Sequence, residues 1–233
     1  MPSHRYYPVL VALFATSLVV SNIIAVKLVD VLGMVLPAAV FLFPVTYILG
    51  DVLTEVYGYR RARQAIWIGF ACNALAVAAI SLGGFLTPAA FWNAGVYPGP
   101  DEAGAAYQAI LGFAPRLLAA SFLAYLAGEF LNAAVLARLK AATRGRHLWL
   151  RTISSTLVGQ GVDSVIFLSG AFAGILSLPA LGSTILSQWM FKSGYEALAT
   201  PLTYLAVNGL KRAEGIDVFD WGVAENPGAP PPR

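Results

Sequence analysis

Long apolar runs alternate with short polar breaks along this chain, at about 7–28, 34–57, 62–87, 113–138, 150–176 and 181–209. Each run is close to or above the roughly 20 residues a helix needs to cross a hydrocarbon core. The pattern predicts an all-α integral membrane protein with six transmembrane helices in one domain, residues 1–212, followed by a tail, residues 213–233. The end of that tail, Asn226 to Arg233 (NPGAPPPR), is rich in proline and too polar to pack, so no structure is expected there. The longest break, Thr87 to Phe113, mixes Phe91, Trp92, Tyr97 and Tyr107 with glycines and prolines, a composition suited to the membrane interface. Within it Pro100-Asp101-Glu102 reads as a helix start, with acids at the positive end of a short helix reaching about Leu111.

Composition agrees with the pattern. Hydrophobic residues make up 58% of the chain and charged residues 12%, against about 45–50% apolar in ordinary soluble domains; mean hydropathy is +0.70. Only His4 and Arg5 carry charge ahead of the first run, and no small-residue cleavage site precedes the next polar break, so that run reads as a span rather than a signal peptide. A single cysteine, Cys72, rules out an internal disulfide and a paired-thiol metal site.

The pI near 9.1 does not mark a nucleic-acid surface, because the basic residues are sorted by loop. Arg5, Arg60, Arg61, Arg63, Arg138, Lys140, Arg144, Arg146, Arg151, Lys211, Arg212 and Arg233 fall on one side of a six-span arrangement, and only Lys27 and Arg116 near the other. By the positive-inside rule both termini are cytoplasmic.

Polar groups recur inside the runs where lipid would reject them, which makes each a candidate functional group. The second run carries Tyr47, Asp51 and Glu55 at steps of four; the fourth carries Ser121, Tyr125 and Glu129 likewise, then Asn132. Thr156, Gln160, Asp163 and Ser164 lie in the fifth run, and Gln188, Lys192 and Glu196 in the sixth, again at helical spacing. The first run adds Ser17, Ser21 and Asn22, and the third offers mainly Asn73. A purely structural role fits many of these singly. Asp51 and Glu55 can pin a helix end to Arg60, Arg61 and Arg63; Lys192 can pair with Glu129, Asp163 or Glu196; Asn22, Gln160 and Gln188 can bond neighbouring helices. Convergence of so many on several helices is what that role explains poorly. Pro44 and Pro201 are expected to interrupt the helical ladder and free backbone groups. Gly50, Gly128, Gly159, Gly161 and Gly194 permit close helix approach, and small-residue faces would allow a homodimer.

No soluble-enzyme signature competes: there is no His-Glu pair at metal spacing and no glycine-rich phosphate loop, and His4 and His147 lie outside the runs. Ser164 beside Asp163 has no histidine in any run to serve as base. No enzyme activity, cofactor or metal site is expected.

Four blocks, FPVTYILGDVLTEVYGYRRAR (43–63), RLLAASFLAYLAGEFLNAAVLARLK (116–140), RTISSTLVGQGVDSVIF (151–167) and KSGYEALATPLTYLAVNGLKRAEGIDVFD (192–220), give the chain its resemblance to a known family. In this order they resemble the queuosine precursor transporters of the vitamin uptake transporter family. The resemblance implies a six-helix importer of the bacterial inner membrane for 7-cyano- or 7-aminomethyl-7-deazaguanine, used in tRNA queuosine salvage. It also implies a fold similar to the substrate-binding subunits of energy-coupling-factor transporters, acting without an ATPase.

The residue types suit that cargo. A guanine-like ring presents N1–H and an exocyclic amine, parallel donors that a carboxylate accepts in bidentate fashion, and an O6 that needs a donor. Glu129, Asp163 or Glu196 is expected on the donor edge, Asn22, Gln160, Gln188 or Lys192 on O6, and Tyr125 or Tyr195 stacked on the ring. Asp51 and Glu55, with Arg60 and Arg61, are cast as a cytoplasmic gate or proton pathway, the surplus of intramembrane acids being suited to proton coupling. The alternative reading is a substrate-capture subunit of an energy-coupling-factor type transporter for another vitamin or nucleobase-like solute. An intramembrane enzyme ranks third, since no span holds a histidine or a cysteine near a base.

Overall fold

In a computed structural model, which describes residues 5–142 and 148–216 apart from some side chains within the helices, the chain is mostly helical. Helix α1 (Tyr7–Ile24) carries Pro8 in its first turn, where a missing N–H breaks no bond. It leads into a hairpin of β1 (Leu28–Val31) and β2 (Met34–Pro37), paired antiparallel with Val31 opposite Met34. Leu32 and Gly33 both take positive φ, +54° and +81°, as a two-residue hairpin turn of the mirror type demands. The Gly33 N–H donates to Asp30 Oδ1 at 2.9 Å and fixes that turn. A 3-10 turn, Ala38–Phe41, then delivers the chain to α2 (Phe43–Tyr57).

The second apolar run therefore differs from the span expected over 34–57: its first eight residues, Met34–Phe41, are strand and 3-10 turn, and the helix proper is 15 residues long. Hydropathy registered the apolar content of Met34–Phe41 and missed the turn at Leu32-Gly33 that makes it extended. Pro44 falls in the first turn of α2 and interrupts no ladder, contrary to expectation.

Gly58, at φ +81°, turns the chain directly from α2 into α3 (Tyr59–Phe85). The long connection that follows holds α4 (Pro100–Leu111), begun by the Pro-Asp-Glu signal and tied to α3 by Tyr107 Oη donating to Ile80 O at 2.9 Å. Helices α5 (Ala114–Ala142), α6 (Leu148–Phe172) and α7 (Leu178–Glu214) complete the chain. α7 is 37 residues long, carries Pro201 in its interior, and ends at Gly215 in the left-handed conformation, whose N–H caps Lys211 O.

Among the described residues, three segments are long and apolar enough to cross a membrane: Tyr7–Ile24, Arg60–Phe85 and Pro100–Gly128. The most apolar stretch of the α3 segment has mean hydropathy 2.0 and is only 22% buried, so its apolar side chains face outward, as a lipid-facing surface requires. Leu75, Leu82, Leu198 and Leu205 are among the exposed apolar residues.

Two apolar clusters lie among the described residues. One joins Phe14 and Leu18 of α1, Val52, Leu53, Val56 and Tyr57 of α2, Ala62 and Ala65 of α3 and Val207 of α7. The other joins Ala25, Ala39, Phe43, the first turns of α5, the last turns of α6 and Leu181. α5 and α6 pack closest: a Cβ on Gly128 would come within 3.1 Å of Gly159 O and 3.2 Å of Asp163 Cβ, and one on Gly170 within 2.9 Å of Ala120 Cβ. Chain of this kind needs small residues at such crossings, because lipid gives no hydrophobic drive and backbones must approach for dispersion to hold them.

Candidate functional site

The polar faces of α6 and α7 meet. On α6, Thr156, Gln160 and Asp163 follow at helical spacing; on α7, Gln188, Lys192 and Glu196 do the same, running in the opposite direction. Lys192 Nζ forms a salt bridge and hydrogen bond with Asp163 Oδ2, the two side chains being 5% and 15% exposed. One turn along, Gln160 Nε2 donates to Glu196 Oε2 at 3.2 Å, and the Thr156 hydroxyl bonds the same carboxylate. An isolated ammonium or carboxylate could not be held at this burial, so each is matched to a partner on the facing helix.

The ion pair has an aromatic wall. Lys192 Nζ lies 5.3 Å from the centroid of the Phe43 ring, whose edge meets Phe167 at 6.1 Å. Phe43 opens α2, so the hairpin and 3-10 turn that shorten this helix are what set its ring against the lysine. Sequence reasoning missed Phe43, because an aromatic at the start of an apolar run carries no polar signal.

Gln188 is buried on α7, one turn from Lys192, and its Nε2 has no hydrogen-bond partner among the described residues; the same holds for Gln160 Oε1 and Ser164 Oγ. Asn22 is buried on α1 and donates to Leu18 O of its own helix at 3.2 Å. Tyr195 stacks on Phe191 at 6.5 Å, and Tyr125 packs edge-on to Phe70 of α3 at 5.6 Å, so each ring already has an aromatic neighbour. The backbones of Asp51, Glu55 and Glu129 are helical, while their side chains lie outside the described residues. Arg60 and Arg61 are exposed at the start of α3.

That end of the molecule holds a second polar assembly, which sequence reasoning also missed. Glu214, at the end of α7, accepts from the N–H groups of Arg5 and Tyr6 at 3.2 and 2.7 Å, and from Tyr57 Oη at 2.8 Å. The Tyr7 hydroxyl donates to Arg61 O at 3.0 Å, its ring meets Tyr57 edge-on at 5.2 Å, and the Arg61 guanidinium lies 5.2 Å from it. One carboxylate thus ties the start of α1 and the end of α2 to the end of α7, at the positive end of the α1 dipole.

Two grooves lie away from the polar cluster. One of about 510 Å³ runs between α3 and α5 past Trp67, Phe70, Ala74, Leu118 and Phe122; the other, about 260 Å³, lies beside Gly161, Val165, Ile185 and Trp189. Both are lined by apolar residues apart from ring and backbone polar atoms, and neither reaches Asp163, Lys192 or Glu196. No group of three metal-ligating side chains occurs among the described residues.

Apolar helices enclosing a buried, self-paired cluster of ionisable groups define a membrane protein that handles a polar solute, the usual meaning of charge at membrane depth. The comparisons carry this further. The family model described as putative vitamin uptake transporter matches residues 37–206, and the chain belongs to that family. It is a membrane transporter and not an enzyme. Among its relatives, a Bacillus subtilis (strain 168) protein described as a probable queuosine precursor transporter is 30% identical over 194 residues, 83% of this chain and 80% of that one. The queuosine precursor transporter of Escherichia coli (strain K12) is 28% identical over 152 residues, 65% of this chain and 62% of its own. No solved structure matches the chain.

Proposed function

We propose that this chain imports queuosine precursors, the free bases 7-cyano-7-deazaguanine and 7-aminomethyl-7-deazaguanine, across a bacterial inner membrane. The observation that carries the reading is its 30% identity to the Bacillus transporter over most of both chains. In this reading α1, α2, α3, α5, α6 and α7 are six spans, α4 lies on the external side, and both termini are cytoplasmic, a topology that the distribution of Lys and Arg supports. The fold is of the kind used by substrate-binding subunits of energy-coupling-factor transporters, working here without an ATPase.

The chemistry of the α6–α7 cluster supports this cargo. Asp163 and Lys192 set two carboxylate acceptors beside one ammonium donor, which complements the N1–H, exocyclic amine and O6 along one edge of the ring. Bound base takes the place of the ion pair's mutual contact, so the charges remain matched at every stage and no bare charge is left in lipid. The Phe43 ring, now over Lys192, supplies a flat apolar face for stacking. Glu196, held by the neutral donors Gln160 and Thr156, is the acid we assign to proton coupling, with Asp51 and Glu55 on α2 leading toward the cytoplasm.

Thermal stabilisation of the detergent-purified protein by a panel of purines and 7-deazapurines tests the ligand, since binding to the folded form raises apparent stability. The two deazaguanines are expected to stabilise it and adenine is not. A panel without effect would overturn the assignment. Uptake into proteoliposomes tests coupling: equal rates with and without an inward proton gradient, and no accumulation, would refute it.

A further inference from the structure

α1 and α3 run parallel and in fixed register. The Tyr7 hydroxyl meets Arg61 O near their starts. Further along, a Cβ on Gly69 would meet Phe14 at 2.8 Å and Leu18 at 3.2 Å, so Gly69 sits between these two residues of α1. Advancing both helices by one turn puts Asn73 between Leu18 and Asn22. The Asn22 side chain folds back along its helix to Leu18 O, toward that same place.

Both asparagines are 1% exposed, and each keeps one polar atom that no described residue bonds: the acceptor Oδ1 of Asn22 and the donor Nδ2 of Asn73. Ser21 Oγ, fully buried next to Asn22 in sequence, is in the same condition. A buried amide without a partner costs free energy, and native structures rarely keep two on adjacent faces without a use. Ala25, one turn beyond Asn22, belongs to the same apolar cluster as Phe43 and Phe167, and Phe43 lies against Lys192.

We propose that Asn22 and Asn73 are the second half of the substrate site and that they select the free base over its nucleoside. The inference rests on the deazaguanine reading above. If Asp163 and Lys192 hold the N1–H, amine and O6 edge, the far side of the ring presents a ring N–H at position 9 next to the acceptor N3. An acceptor and a donor side by side match that pair: Asn22 Oδ1 accepts from N9–H, and Asn73 Nδ2 donates to N3. A substituent at N9 removes the donor and fills the space, leaving a buried oxygen unpaired, the kind of mismatch that rejects analogues most strongly.

The test compares binding of 7-cyano-7-deazaguanine and its 9-methyl derivative to the purified full-length protein and to Asn73→Ala, Asn22→Ala and Asp163→Asn. The native protein is expected to prefer the free base at least about tenfold, the worth of one good buried hydrogen bond. Asn73→Ala and Asn22→Ala should each weaken free-base binding about tenfold and leave the 9-methyl compound no weaker than before, collapsing the preference. Asp163→Asn should weaken both compounds alike. Asparagine variants that keep the native preference would overturn the proposal and leave the transport reading standing. So would loss of folded protein in both, read from melting without ligand, because that assigns the pair to packing. If the native protein binds neither compound, the cargo assignment itself fails.

Discussion

Replacing Lys192 by methionine keeps the length of the side chain and removes its charge, which leaves the Asp163 carboxylate on α6 without its ion-pair partner. With the two side chains 5% and 15% exposed, water can do little to solvate the remaining carboxylate. Breaking a buried pair by deleting one partner costs about 3–5 kcal/mol, whereas replacing both by apolar residues of similar volume is often neutral or stabilising. Lys192 also rests on the Phe43 ring, a contact worth about 0.5–2 kcal/mol when desolvated, and methionine recovers part of it through its sulfur. The single variant Lys192→Met should therefore melt well below the native protein, while Asp163→Leu combined with Lys192→Met should return to within about 1 kcal/mol of it. Both should lose deazaguanine binding. The assay is thermal unfolding of the detergent-purified proteins, with ligand binding measured alongside. A single variant as stable as the native protein would show that the pair is not desolvated. A double variant as unstable as the single would show that the loss lies in packing and not in charge.

Glu214→Ala removes the acceptor of bonds from Arg5 N, Tyr6 N and Tyr57 Oη and should cost about 2 kcal/mol. Tyr57→Phe should cost about 1, and their combination less than the sum, because they share a bond; additive losses in melting experiments would refute the shared contact. Gly128→Leu should destabilise by about 1–3 kcal/mol, since its first side-chain atom would already press on Gly159 O at 3.1 Å. Gly182→Ala, with nothing within 4 Å of the added carbon, should be neutral or gain up to about 1 kcal/mol of helix propensity in the same melting assay. In a Cys72→Ala background, Val96→Cys in the α3–α4 connection should react with an impermeant maleimide on intact cells, and Arg212→Cys only after permeabilisation. The reverse pattern would invert the proposed topology.

Apolar runs were readable because lipid imposes them directly: every backbone group must be satisfied within a helix, and every exposed side chain must tolerate hydrocarbon. The short helix α4 was readable for a local reason, its Pro-Asp-Glu start. The hairpin was not, because Leu28–Pro37 is as apolar as a span and its turn depends on Leu32 taking a left-handed conformation that its side chain disfavours.

Within the site, helical spacing put Gln160 and Asp163 on one face and Gln188, Lys192 and Glu196 on another, but spacing along one helix is silent on which residue of a second helix it meets. Lys192 had three acids within its sequence-level choices, and the crossing of α6 and α7 pairs it with Asp163 and gives Glu196 to Gln160 and Thr156. Glu214 lay beyond the last apolar run and so looked like tail, although it gathers two donors from the start of the chain and one from the end of α2. These two carboxylate sites share α7, with Pro201 between them. Proline has no N–H for the carbonyl of Ala197, so the helix is weakest between the residues that hold the ion pair and the one that ties its end to α1 and α2. A rearrangement that frees Lys192 from Asp163 can therefore bend α7 there without pulling Glu214 from its three donors, which is why the two sites are expected to respond separately to substitution.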